Sequence, residues 1–279
     1  MSSNLDRQRD EIRTRIEQSK NLPTLPGVVA RIVEMVDSPE TTGRQLGAEI
    51  GKDQVLSAKV LKLVNSGFYG FSQPIATIPH AVTLLGFDTV KSLVLSSSVL
   101  EMMDQALPGL WPHSLACART SKFIAEHLDL PDSDELSVIG LLHDLGKVIL
   151  FQTLEKDFLR IRRKIDNEDI LFYRAEEELL GCHHGDIAGW LLEKWSLPAK
   201  LLEPIIDHHD FRPRRDHAER TAIVHLADVL SRAEALGSGG DRRIPRLAPA
   251  ALEILGMDIP QVGKIMGRMN EELSEISRM

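Results

Sequence analysis

Apolar residues recur at three- and four-residue intervals along most of the chain, and no run alternates regularly enough to predict a strand. The pattern predicts an all-α fold. Residues 1–20 read as a polar helical leader with charges of both signs. Thr42 and Gln45 have capping-box spacing before Leu46 and Ile50, and Gly51 closes that short helix. Asp53 can cap the next, QVLSAKVLKLVNSG, whose Leu56, Val60, Leu63 and Val64 share one face. Gly67 and Gly70 mark its exit loop, and TIPHAVTLLG then makes a short helix ending at Gly86. Asp88 caps a longer one through Val90, Leu93, Val94 and Val99.

Two prolines and a glycine in ALPGLWP, Ala106 to Pro112, mark a boundary between two helical lobes, residues 21–107 and 108–236. Pro112 suits the first turn of a helix running to about Leu128. Asp132 with Glu135 makes a capping pair for the helix holding VIGLLHDLG, which Gly146 loosens or ends. Amphipathic stretches follow at about 154–165 and 171–180, the latter closed by Gly181, then at about 185–195, 198–207 and 217–236. GSGGDRR, from Gly237, reads as a flexible break, and a helical tail completes residues 237–279.

Hydrophobic residues at 43% and charged residues at 27% are the proportions of a soluble globular chain able to bury real cores. A net charge of -8 argues against nucleic acid as the main partner. Arg212, Arg214 and Arg215 form a basic patch that reads as a solvated loop. Two cysteines, Cys117 and Cys182, and the polar start MSSNLDRQRDE point to a reducing, cytoplasmic setting with no disulfide framework. No run reaches the ~18 uninterrupted apolar residues of a membrane span, so no membrane partner is expected.

The most apolar run, VIGLLHDLGKVIL from Val138 to Leu150, places His143 beside Asp144. Burying an ionised carboxylate alone costs roughly several kcal/mol, so such a residue is paired or holds a cation. Helical neighbours point about 100° apart and converge only on something lying in the groove between them. His113 starts the preceding helix, His183 and His184 begin another, and His208 and His209 end a third. Asp228 lies on the apolar face of AIVHLADVL. Imidazoles with carboxylates suit zinc, iron or manganese, and one carboxylate can bridge two ions. Taken singly, each residue has an ordinary alternative. Asp228 can cap or pair, His183 can be exposed, and Cys182 can simply pack. His80, His127, His217 and His225 read as hydrogen-bonded core residues, His225 also as a partner orienting the site. The ordered set within one lobe favours a metal.

HDLGK, with His113 upstream and Asp228 downstream, resembles the H…HD…D pattern of the HD phosphohydrolase superfamily. From about Leu22 to residue 236 the chain resembles the HDOD family, the HD-related output domain of bacterial signalling proteins. LPTLPGVVARIVEMV, VLSAKVLKLVNSGFYG and IPHAVTLLGFDTVKSLVL resemble its helical first half. HHGDIAGWLLEKWSLP, IIDHHD and IVHLADVLSRA resemble its second. The family's usual Asp-Pro is Asp53-Gln54 here, and members commonly lack part of the HD ligand set. By resemblance to HD and HD-GYP proteins, one ion takes His113, His143, Asp144 and Asp228. A second shares Asp144 and takes His184, His208 and His209. The resemblance gives Lys147 a role facing substrate phosphate; otherwise it reads as a surface lysine at a helix end. No Gly-Tyr-Pro follows His209, and Gly109 stands where some HD-GYP enzymes offer a further carboxylate, which argues against cyclic di-GMP hydrolysis and a third metal.

Two functions are therefore expected, in this order. The first is a bacterial signal-transduction module with a mono- or dinuclear site for iron, manganese or zinc, presenting a helical surface to a signalling protein. Phe68, Tyr69 and Phe71 in NSGFYGFSQP are candidate anchors, or dock on their own core. The second is a metal-dependent phosphohydrolase or phosphodiesterase acting on a nucleotide or other phosphoester, with Asp144 and Lys147 as catalytic residues. An aromatic content of 5% offers few platforms for a base, so no substrate follows.

Overall fold

The computed structural model describes residues 2–19, 27–36, 38, 40–65, 73–97, 103, 105–194 and 197–276. Among them, helices are the only regular structure, as the apolar spacing predicts. In chain order they are α1 (Ser2–Glu17), α2 (Gly27–Val36), α3 (Gly43–Ile50), α4 (Gln54–Val64), α5 (Ile78–Ser97), α6 (Leu110–His127), α7 (Ser133–Leu142) and α8 (Leu145–Thr153). Then come α9 (Glu155–Glu168), α10 (Phe172–Leu180), α11 (His184–Lys194), α12 (Ala199–Asp207), α13 (Ala218–Ala233), α14 (Pro249–Leu255) and α15 (Ile259–Ile276). Two units form, one of Met1–Pro23 with Met102–Glu271, the other of Thr24–Glu101 with Glu272–Met279.

In the smaller unit local chemistry sets the helix ends. Thr42 Oγ1 accepts from the Gln45 backbone N–H at 3.3 Å, and Gln45 Oε1 accepts from the Thr42 N–H at 2.8 Å. Asp53 Oδ1 caps α4 through the Leu56 N–H at 3.0 Å. The shared face of Leu56, Val60, Leu63 and Val64 is buried, together with Leu46 and Ile50 of α3. Helix α5 is broken at Gly86, whose φ of 80° no helix accommodates, so the two helices expected on either side of it are present. Phe68, Tyr69, Phe71, Gly67, Gly70 and Val99, and the side chain of Asp88, lie outside the described residues.

The larger unit packs α6 against α7 and α13, α8 against α11, and α12 against both α11 and α13. Leader helix α1 joins it by burying Ile12 and Ile16, with Arg9 on Asp186 at 2.6 Å and Arg15 on Asp157 at 2.8 Å. Three sequence expectations need correction here. The helix through VIGLLHDLG is two helices, because His143 and Asp144 form a turn between α7 and α8. Gly146 ends nothing. It sits in the first turn of α8, where a β-carbon would lie 1.8 Å from the His184 carbonyl oxygen, so its smallness lets α8 and α11 touch. Asp132 does not cap α7 through its side chain. It pairs with Arg220, which also reaches Glu135 at 3.1 Å, while Lys200 holds Glu135 at 2.6 Å. Long-range cations outcompete the local amides for these two carboxylates.

Histidine burial also departs from expectation. His80 is exposed and His127 and His217 are partly exposed, while His183 is buried, with Nδ1 accepting from the Gly185 N–H at 3.1 Å. Cys182 is buried, and Arg212, Arg214 and Arg215 lie on an exposed loop. The stretch Ser133–Thr153 is apolar enough by length and composition to cross a membrane, but it is 83% buried inside the protein and forms the centre of the larger unit.

Thr42→Ala should cost about 1 kcal/mol through the lost cap. Gly146→Ala should cost about 2 kcal/mol or more, because backbone rather than a flexible side chain blocks the added carbon. Urea midpoints of the two variants against the parent, at equal slope, measure both.

Candidate metal centre

Three helices and two turns bring the seven expected side chains together. His113 comes from the first turn of α6, His143 and Asp144 from the turn between α7 and α8, and His184 from the start of α11. His208 and His209 follow α12, and Asp228 lies within α13. They form two groups, each with its donor atoms mutually within 4.8 Å: His113, His143 and Asp228, and Asp144, His184, His208 and His209. Asp144 lies between them. Its Oδ2 is 3.3 Å from His143 Nε2 and 3.6 Å from His113 Nε2, and its Oδ1 is 3.1 Å from His184 Nε2. Asp228 Oδ1 is 3.1 Å from His113 Nε2, and Oδ2 is 3.8 Å from His209 Nδ1.

Three of the imidazoles are oriented by their outer nitrogen. His143 Nδ1 faces the Gly140 carbonyl at 2.7 Å, His208 Nδ1 the Ile205 carbonyl at 2.7 Å, and His184 Nδ1 the Glu176 carboxylate at 2.6 Å. Those oxygens can only accept, so each Nδ1 carries the proton and each Nε2 turns into the cluster. Second carboxylates and carbonyls behind a histidine serve metal sites in this way. His209 is held differently, its ring stacked on Tyr173 at 4.5 Å and 17°. His225 donates from Nδ1 to the His208 carbonyl at 2.7 Å and accepts the Ala248 N–H at Nε2 at 3.0 Å, so this core histidine pins the backbone that carries two site residues.

The donors fit a cation. The inward Nε2 atoms of His184 and His208 are 3.4 Å apart with lone pairs facing, an arrangement that a shared proton or metal ion relieves. Both ring nitrogens of His113 and of His209, Nε2 of His143 and Oδ2 of Asp228 are buried without a hydrogen bond. Four buried carboxylates, Asp144, Asp228, Glu176 and Asp241, face two buried cations, Lys147 and Arg232. Protons on His143 and His184, or a divalent ion in their place, would supply the remaining positive charge.

Electrostatics hold the carboxylates ionised. Burial alone would push the Asp144 carboxyl up, but His143 and Lys147 together keep it well below the usual carboxylate range. For Asp228 burial is likewise outweighed, here by the Arg232 guanidinium 2.8 Å away and by His113. Burial, then repulsion from the neighbouring imidazoles, drives His208 and His209 well below the ordinary histidine range and keeps them neutral. His143 and His184 run the other way: burial opposes their charge, but adjacent Asp144 raises His143 well above that range and the Glu176 carboxylate raises His184.

Lys147 is neither at the surface nor open to a phosphate. It is fully buried, with Nζ 2.7–2.8 Å from the Asp144 carboxylate, 2.8 Å from the Gly239 carbonyl, and over the Phe172 ring at 5.1 Å. The segment GSGGDRR, expected as a flexible break, is pinned for the same reason: buried cations bind its carbonyls and its aspartate. Sequence reasoning also missed Glu176, Arg232 and Asp241. Glu176 was discoverable, since it shares the buried face of Phe172, Ala175 and Leu180 on α10, and Arg232 lies one turn after Asp228. Asp241, in a glycine-rich run, carried no signal.

The sequence pattern of the HDOD domain matches residues 22–211. A solved HDOD domain protein of unknown function from Geobacter sulfurreducens superposes with a TM-score of 0.77 at 28% identity, covering 99% of this chain and 96% of that one. A protein of Shewanella amazonensis provisionally named a phosphohydrolase superposes at 0.70 and 20% identity, covering 98% and 97%, and so shares the fold. An uncharacterized protein of Treponema pallidum (strain Nichols) is 24% identical over 197 residues, and this chain spans 38% of that relative's length. With an all-helical fold, a histidine–aspartate cluster and the domain pattern across most of its length, the chain belongs to the HDOD family.

Proposed function

We propose that the protein is a bacterial signal-transduction module that recognises a protein partner through its helical surface, built around one or two iron, manganese or zinc ions. His113, His143 and Asp228 hold one ion, His184, His208 and His209 the other, and Asp144 serves both. The observation that carries this reading is the enclosure of the cluster. No side chain among the seven exceeds 1% exposure, so the donors do not face solvent or a substrate in this conformation. Lys147 then acts as a positioning residue that offsets the Asp144 charge and ties it to Gly239.

The second reading, hydrolysis of a phosphoester, is favoured by the complete donor set and by the name given to the Shewanella protein. A bound divalent ion would supply Lewis-acid activation of water and phosphoryl oxygen. The chain itself would orient Nε2 donors through Glu176, Gly140 and Ile205, and keep Asp144 and Asp228 ionised. Lys147 would have to leave Gly239 before it could touch a substrate.

Protein purified without chelators should carry on the order of one to two transition-metal ions per chain by elemental analysis. Asp144→Ala should lower that content furthest, since both groups lose a donor. A metal-free preparation whose stability is indifferent to added manganese, iron or zinc defeats the metal reading. Phosphodiesters and phosphomonoesters should turn over at background rates. Robust turnover abolished by Asp144→Ala would reverse the order of the two readings.

Lys147→Met keeps the volume but removes the ammonium, leaving Asp144 less compensated. Without metal this variant should lose about 3 kcal/mol. Saturating metal should recover much of that loss, read as a larger metal-induced rise in Tm than the parent shows.

A further inference from the structure

The cluster is sealed, yet one of its walls is a short irregular segment rather than a packed helix. Residues Gly237 to Asp241 run between α13 and α14 as a strap. On its inner side the Gly239 carbonyl accepts from Lys147, and Gly237 passes so close to α6 that a β-carbon there would lie 2.2 Å from the His113 nitrogen. On its outer side Ser238, Gly240 and Asp241, with Arg162, Asp166 and Arg242, line a cavity of about 240 Å³. Five residues of loop therefore separate a cavity from the Lys147–Asp144 pair.

Polar bonds anchor the strap, and Gly240 also rests against Phe172 and Leu107. The Ser238 N–H donates to the Gly109 carbonyl at 2.9 Å, and Arg162 Nη1 donates to the Gly240 carbonyl at 2.6 Å. Asp241 accepts from Arg232 at 3.0 Å and from the Phe172 N–H at 2.9 Å. The outer bonds, Ser238 to Gly109 and Arg162 to Gly240, can be replaced by water at modest net cost, whereas the buried Arg232–Asp241 pair is the firmer anchor. The strap is thus a non-helical wall of the enclosure held at a few polar points.

We infer that the strap Gly237–Asp241 is a gate, latched by Arg162, Arg232 and Lys147, whose release joins the outer cavity to the histidine–aspartate cluster. It governs access to the centre proposed above and so rests on that reading for its purpose, but its movement is measurable without any metal. Opening frees Lys147 Nζ from Gly239 and Arg162 from Gly240, leaving two cationic groups at the mouth of the joined space. A small anion is the ligand class that would favour the open state.

The test uses full-length protein with chelator present, labelled by diethyl pyrocarbonate and read residue by residue by mass spectrometry. Arg162→Ala loosens the strap without touching any of the seven cluster residues, and Asp241→Ala loosens it at its other anchor. Labelling of His113 and His184 should accelerate roughly tenfold in each variant, the scale set by loss of a charge-assisted hydrogen bond. His183 and His225, buried but away from the strap, should keep the parental rate, and exposed His80 reports the reagent. Unchanged rates at His113 and His184 in both variants would overturn the gate. Equal acceleration at His183 and His225 would overturn it too, since opening would then be global. Failure of the metal reading would show instead as metal-free protein, with the labelling ratios intact.

Discussion

Two ionised carboxylates in a dry core set the terms for the larger unit. Asp144 and Asp228 are surrounded by apolar helices, where an unpaired charge is untenable, and neither can retreat to solvent. Everything near them supplies compensation. Lys147 and Arg232 arrive from one turn away, and the five imidazoles of the cluster come from the turn that holds Asp144 and from three further segments. Glu176 and Asp241 add negative charge while bracing His184 and Arg232, a charge that protonated imidazoles or a bound cation would offset.

That requirement explains features that have no local cause. The chain turns at His143 and Asp144 rather than continuing as helix, which lets both side chains join one cluster instead of pointing about 100° apart. Gly146 permits α11 to approach until His184 faces Asp144. His225, by holding the His208 carbonyl, sets the direction of two successive rings. Each of these is a backbone solution to a side-chain problem.

The enclosure carries the functional argument. A retained donor set is compatible with hydrolysis, but a centre whose donors are sealed and whose lysine is bonded to a backbone carbonyl cannot meet a substrate in this conformation. With the strap Gly237–Asp241 as the inferred gate, the two proposed functions would differ by a conformational equilibrium rather than by residue content.

The sequence by itself determined the helical class, most helix boundaries and the identity of the clustered residues. Those depend on apolar period, caps such as Thr42 and Asp53, and a rare ordered set of histidines and aspartates, all readable within a few turns of chain. Where expectation failed, a distant partner had prevailed over a local one. Asp132 left its cap for Arg220, Lys147 left the surface for Asp144 and Gly239, and GSGGDRR was fastened by Arg162 and Arg232. The order of charges along the chain does not say which cation will reach which oxygen, because that depends on helix packing across up to 92 residues of separation. Which residues cluster was therefore local information; the closure of the structure over them was decided only by the tertiary structure.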